Sequence, residues 1–177
     1  IGKYSFIKVC SGVLKGDDVL YNTASEADEK LGKIYTMVGN KPVEVSELFA
    51  GDIGAIAKLN NTKTGDTLAT KNTPIMYGKT EYSKPYTYMK YVTTNKGDED
   101  KVSQAFQKMM AEDVTLKIVN DAENHQALIY GMGDQHLEIA VSKLAERYKC
   151  AVTLETPKVA FRETIKKKSD VDTKYKK

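Results

Sequence analysis

The stretch Gly131-Met132-Gly133-Asp134-Gln135-His136-Leu137-Glu138-Ile139 lies where a strand pattern changes to a helix pattern. Before it, the short apolar run 127–130 is typical of a strand. After it, apolar residues recur three and four positions apart, a spacing that places them on one helix face. These residues are Leu137, Ala140, Val141, Leu144 and Tyr148. The stretch therefore predicts a turn that joins a strand to a core-facing helix.

The residues on either side of this stretch extend the pattern to a complete fold. Strands are predicted at 86–92, 115–120 and 150–154, and a first helix begins at Asp98-Glu99-Asp100, where carboxylates favour a helix start. This helix is expected to face the core through the apolar residues Val102, Ala105, Phe106, Met109 and Met110. The order strand, helix, strand, strand, helix, strand is typical of a ferredoxin-like split-βαβ domain, an α+β fold. A further strand is expected at 161–165.

The first half of the chain shows a different pattern, with short strands and Gly/Asp turns. Strands are predicted at 4–10, 19–22, 31–38, 53–59 and 67–69, and this spacing favours an all-β barrel or sandwich. Pro85 favours an extended connector between the two patterns. We expect domains at 1–83 and 84–156, with residues 157–177 as a separate remainder. The barrel is expected to lack its first strand.

The charge and composition of the chain argue against some classes of function. The net charge is +3, but residues 166–177 hold six Lys and two Asp, which leaves 21 basic and 22 acidic groups elsewhere. The lysines Lys166, Lys167 and Lys168 are therefore the candidates for a polyanion contact. Only two Arg occur, which argues against a sequence-specific reader of duplex DNA. The chain has no apolar run of about 18 residues, so we expect a cytoplasmic protein without membrane contact.

Two local motifs have both a functional and a structural explanation. Asn95-Lys96-Gly97-Asp98 matches a guanine-reading motif, but the sequence has no glycine-rich phosphate loop, so a helix-capping turn is predicted. Asp134 is predicted to cap the second helix and His136 to be exposed. The sequence shows no nucleophile or second base to act with His136. We expect no enzymatic activity, cofactor or metal in this chain.

Longer strings resemble one family. Residues 131–139 resemble the GMGELHLEI signature of the third domain of bacterial elongation factor G, and Pro157-Lys158-Val159-Ala160-Phe161-Arg162-Glu163-Thr164-Ile165 resembles the junction into its fourth domain. Three shorter strings resemble its second-domain barrel in the right order, at 11–15, 50–55 and 64–68. The resemblance implies a translation-factor barrel, domain II, followed by ferredoxin-like domain III and the start of domain IV.

The resemblance also implies a function for the parent protein, a translocation GTPase that binds GTP and Mg²⁺ in a domain outside this chain. Its implied partners are ribosomal RNA, a ribosomal protein and the parent's own GTPase domain, and the fragment is expected to be monomeric. The contact candidates carried over by the resemblance are Gly131, Gly133, Asp134, His136 and Glu138.

Two departures from the family pattern, Asp134-Gln135 in the signature and Asp17 in a barrel turn, are more similar to paralogues of elongation factor G. The small side chain of Asp17 is expected to tolerate a left-handed turn. Two alternatives remain open at this point: a ribosomal protection GTPase of the tetracycline-resistance type, and a stand-alone RNA-binding module.

Overall fold

The computed structural model describes residues 3–168 and 170–176, and the chain forms two compact units, residues 1–82 and 83–177. The first unit is all β and the second is α+β, as the sequence predicted. Neither helix in the described part of the chain combines the length and the apolar character needed to cross a membrane.

The first unit is built from short antiparallel strands that form three sheets. The strands are β1 Tyr4–Lys8, β2 Val13–Lys15, β3 Val19–Asn22, β4 Ala27–Lys30, β5 Ile34–Val38, β6 Lys41–Val45, β7 Glu47–Phe49, β8 Ile53–Ala57 and β9 Leu68–Ala69. The sheet orders are β1-β8-β5-β6, β2-β7 and β4-β3-β9.

Strands β2, β4, β6 and β7 were not predicted from the sequence. They are short or rich in charge, so they show too few apolar alternations to be recognised locally. Backbone pairing defines them instead: β4 and β6 pair with the strands just before them, β3 and β5, whereas β2 and β7 pair across a long sequence separation. Strand β7, for example, pairs with β2 through Phe49 opposite Val13.

The core of the first unit comes from the inward face of these strands. Ile7 and Val9 point inward, whereas Phe6 and Lys8 are exposed. A side chain at Gly54 would collide with the Leu48 methyl group and crowd the Tyr35 carbonyl, so this strand position requires glycine. The buried apolar residues of this core cluster are Val9, Leu14, Leu31, Ile34, Leu48, Ile56 and Leu59.

Three polar side chains, Asn22, Glu29 and Asp66, form a buried polar cluster beside that core. Asn22 is fully buried, and its amide donates to Asp66 Oδ2 at 3.1 Å. The Asn22 Oδ1 atom accepts from the N–H groups of Ala24 at 2.9 Å and Ser25 at 3.3 Å. The cluster therefore fixes the turn after β3.

The cluster also holds the loop before β9. The Glu29 carboxylate accepts hydrogen bonds from the backbone N–H groups of Asn60 and Asn61. Burial raises the pKa of Asp66, but hydrogen bonds from the Lys63 N–H and the Asn22 amide, together with nearby lysine charges, hold that pKa below its usual range. Asp66, the acidic residue of the 64–68 string, is thus an ionised hydrogen-bond acceptor that organises its own loop.

The second unit has the predicted ferredoxin-like order. The elements are β10 Thr87–Thr93, α1 Glu99–Glu112, β11 Lys117–Asp121, β12 Gln126–Gly131, α2 Asp134–Tyr148 and β13 Val152–Glu155. The antiparallel sheet runs β11-β12-β10-β13, and the core residues of both helices pack on one sheet face.

The core of the second unit uses the predicted helix faces. Phe106 of α1 is 1% exposed and meets Tyr91 edge-on, with ring centroids 5.0 Å apart. Leu137 and Leu144 of α2 are fully buried against the same sheet face. The helical periodicity therefore identified the buried side of both helices.

Two sequence expectations were wrong or incomplete in this unit. Residues 161–165 form no strand, and Phe161 is 90% exposed, since no neighbouring strand pairs with this segment among the described residues. The 95–98 string forms the predicted turn before α1, and Asp98 is the N-cap residue. Its carboxylate accepts from the Asn95 amide at 3.3 Å rather than from the helix N–H groups.

Candidate functional site

The five contact candidates lie at the end of β12, in the turn that follows it and at the start of α2. Gly133, rather than the predicted Asp134, is the N-cap of α2, and its carbonyl accepts from the Leu137 N–H at 3.2 Å. Asp134 is the first helical residue, so the prediction that it caps the helix was wrong. Its carboxylate still lies at the positive end of the helix and accepts from the Thr87 hydroxyl at 3.4 Å.

His136 lies in the first turn of α2 and holds the site together. Its Nδ1 accepts from the Met132 N–H at 3.1 Å, and its Nε2 lies 3.0 Å from Asp113 Oδ2. Because Nδ1 is an acceptor, the proton of the neutral ring is on Nε2, which donates to Asp113. The side chain is 22% exposed, so the prediction of an exposed His136 was wrong.

Asp113 is the C-cap of α1 and links His136 to that helix. Its N–H donates to the Met109 carbonyl at 2.8 Å, and its Oδ1 accepts from the Thr115 N–H at 2.9 Å. Burial raises the pKa of Asp113, but hydrogen bonds from Thr115 and the nearby His136 ring outweigh it and hold the pKa below its usual range. Asp113 therefore stays ionised and ties the end of α1 to the start of α2.

The two glycines of the turn have different reasons to be there. A Cβ at Gly131 would lie 2.7 Å from Leu137 Cδ2 and 3.0 Å from His136 Nδ1, so glycine lets both side chains pack on the strand. Gly133 has an extended backbone, and a Cβ there would meet no atom within 4 Å. Nothing in the structure requires glycine at 133.

The outward side of the same turn is accessible to a partner. Met132, Gln135, Glu138 and Ile139 are exposed and are called here the α2 entry surface. Glu138 and Ile139 follow Gln135 by three and four positions, so they are its neighbours on the helix. The predicted contact residues therefore have two kinds of role. Gly131 and His136 support the turn from inside, whereas Glu138 belongs to the α2 entry surface.

Comparison with known proteins identifies the family. The family model "Elongation factor G domain 2" matches residues 1–71, and the model "Elongation Factor G, domain III" matches residues 82–156. The chain belongs to the elongation factor G family. Its barrel is domain II of that family, and its α+β unit is domain III.

Two relatives show how much of the family the chain covers. Elongation factor G of Anaplasma marginale (strain Florida) is 36% identical over all 177 residues, which are 26% of that protein. A crystal structure of a Thermus thermophilus protein has a TM-score of 0.73 at 24% identity, covering 88% of this chain and 24% of that one. The second comparison shows the shared fold, and the chain spans about a quarter of both proteins.

Several features of domain III could not be found from the sequence. Asp113, Met132, Gln135 and Ile139 were missed as parts of the site. The Asp-x-Thr string at 113–115 indicates a local turn, but it does not reveal the His136 partner, which lies 23 positions away. The exposure of Met132 and Ile139 is the opposite of what their apolar character suggests.

The three lysines predicted to contact a polyanion lie outside the turn between β12 and α2. Lys166, Lys167 and Lys168 are exposed in a segment without helix or strand. Among residues 3–168 and 170–176, no group of three His, Cys, Asp or Glu side chains is placed to hold a metal ion.

Proposed function

We propose that this chain is the middle part of an elongation factor G-like translocation GTPase. In this proposal its two domains contact the ribosome and relay the nucleotide state of the parent's GTPase domain to the distal domains. The supporting observation is the α2 entry surface, a set of exposed side chains on a turn that is held from inside by His136 and Asp113.

We assign GTP hydrolysis to the parent protein's GTPase domain rather than to residues 1–177. GTP and Mg²⁺ bind in the GTPase domain, and residues 1–177 contribute recognition without catalysis. The partners are ribosomal RNA and a ribosomal protein in the cytoplasm, and the fragment is a monomer. Its functional divisions are 1–83, 84–156 and 157–177.

A relay requires a contact surface that cannot move independently of its domain. His136 bonds to Met132 in the turn and to Asp113 at the end of α1, while Leu137 anchors the same helical turn in the core. Packed interiors resist gradual deformation, so a displacement at the surface moves the helices and sheet together. This rigid support makes the α2 entry surface suitable for passing on a contact.

The experiment reverses one surface charge in the parent protein. Glu138→Lys is expected to lower ribosome-stimulated GTP hydrolysis by roughly tenfold, about 1.4 kcal/mol of activation free energy. Glu138 is exposed and makes no ion pair among the described residues, so the thermal midpoint should stay the same. The measurements are GTP turnover with and without ribosomes, and thermal unfolding of the same samples.

The matched control is Glu146→Lys, the same charge change at an exposed position near the other end of α2. It should leave both turnover and stability unchanged. Equal loss of activity in both variants would indicate a general charge effect. Full activity of the Glu138 variant would remove the α2 entry surface from the proposal. His136 is a poor probe, because its substitution also removes the internal support.

A further inference from the structure

The segment that leaves domain III, residues 157–162, is attached to the sheet by an unusual pair of hydrogen bonds. Gln126 of β12 is 5% exposed, and its Nε2 donates to the Lys158 carbonyl at 2.8 Å. The Lys158 N–H donates to Gln126 Oε1, also at 2.8 Å. The Gln126 amide therefore satisfies both backbone groups of one residue, as a neighbouring strand residue does in a sheet.

Asp121 orients that amide. Its Oδ2 accepts from Gln126 Nε2 at 2.9 Å and from Asn124 Nδ2 at 2.8 Å. The hydrogen bonds from the Asn124 and Gln126 amides lower the pKa of Asp121, so the carboxylate is ionised at neutral pH. Because Asp121 can only accept, Gln126 must turn its nitrogen toward Asp121, which leaves Oε1 for the Lys158 N–H.

The segment lies along part of the sheet face that the helices leave open. An open groove of about 440 Å³ is lined by Tyr88, Leu128 and Tyr130 from the strands and by Val159 and Ala160 from the segment. The Tyr88 and Tyr130 rings stack with centroids 4.9 Å apart. Arg162 reaches Glu123 at 3.5 Å, the last described contact of the segment with the sheet side.

We infer that residues 157–162 dock on the open sheet face of domain III through a backbone clamp formed by Gln126 and Asp121. The clamp reads backbone atoms, so its occupant is an extended stretch of polypeptide. Pro157 favours extended backbone at the residue before it, which suits such a stretch. Val159 and Phe161 remain 57% and 90% exposed, so the attachment rests on the Lys158 backbone and on the ion pair between Arg162 and Glu123. Docking ends near Arg162, since Ile165 is 90% exposed.

Docking of residues 157–162 would fix the direction in which the chain leaves domain III. A docked segment leaves the domain at one fixed angle, whereas a free linker samples many. The docking itself depends only on the contacts above. The claim that it sets the direction of the distal domains rests on the proposed function. Residues 157–162 then belong structurally to domain III, and the boundary for independent motion moves from 156 to about 162.

The test is amide hydrogen exchange in the chain of residues 1–177, measured residue by residue by NMR. In the unmodified chain the Lys158 amide should exchange at least tenfold more slowly than the amides of residues 166–168. Gln126→Ala should raise its exchange rate by roughly tenfold or more, because the acceptor is lost. The amide of Ile129 in β12 should keep its protection, which shows that the sheet remains folded.

Gln135→Ala is the matched control, since Gln135 is exposed and has no described partner on the 157–162 segment. It should leave Lys158 exchange unchanged. If the alanine variant of Gln126 does not fold, Gln126→Leu keeps the bulk and removes the polar atoms, and the same rise is expected. Fast Lys158 exchange in the unmodified chain, or unchanged exchange in the Gln126 variants, would overturn the docking. The Glu138→Lys experiment decides the proposed function separately.

Discussion

Domain II and domain III bury their polar groups in different ways. Domain II has strands of two to five residues and a buried polar cluster that ties its loops together. Domain III has two long helices on one sheet face, with an apolar core that includes Phe106, Leu137 and Leu144. Its one buried polar side chain among the described residues, Gln126, lies on the opposite side from that core.

The two domains differ in how the backbone groups of their connecting segments find hydrogen-bond partners. Very short strands leave much of the backbone in connecting segments, whose N–H and C=O groups need partners when they are covered. Side chains such as Asn22 and Glu29 supply those partners in domain II. Helices satisfy most of their own backbone groups, so domain III can use its interior for apolar packing.

The largest expected effect tests the apolar side of this comparison. Phe106→Ala should destabilise domain III by about 3–5 kcal/mol, because it removes a large buried ring and leaves a cavity. Amide exchange, followed for each domain, should show lost protection in residues 87–155 and unchanged protection in residues 4–69. Equal loss in both domains would show that the two units unfold as one.

A smaller effect tests the polar side. Asn22→Ala should destabilise domain II by about 2–3 kcal/mol, because two backbone N–H groups lose their acceptor and Asp66 loses a donor. Urea unfolding of the chain, read by exchange in domain II, measures this change. Asn120→Ala, at an exposed position of β11 in domain III, is the control and should change stability by less than about 0.5 kcal/mol. A loss at Asn22 no greater than at Asn120 would remove the polar cluster as a determinant of stability.

The smallest expected effect tests whether the two glycines beside the start of α2 differ in how tightly they are packed. Gly131→Ala should cost about 1–2 kcal/mol, because the new methyl group must displace Leu137 or His136. Gly133→Ala should be neutral or stabilising by a few tenths of a kcal/mol, since open space surrounds it and its backbone is extended. Thermal unfolding of the two variants gives the difference, and equal midpoints would mean that the turn adapts without strain.

The sequence predicted the fold classes well because they depend on local patterns. The helix faces with Phe106 and Leu137 were correct, and so was the left-handed Asp17, whose φ is 64°. The family was also evident from residues 131–139, a short continuous string. Such signals lie within a few residues of one another and follow from helix and strand geometry.

The tertiary structure alone decided the pairings. His136 meets Asp113 across 23 positions, and Gln126 meets Lys158 across 32. No periodicity links such residues, because a hydrogen bond depends on where two distant segments meet in space. The sequence therefore determined the two fold classes, the six elements of domain III and the buried helix faces. Chain packing determined the short strands β2, β4, β6 and β7, the support of the turn by His136 and the hold of Gln126 on the departing segment.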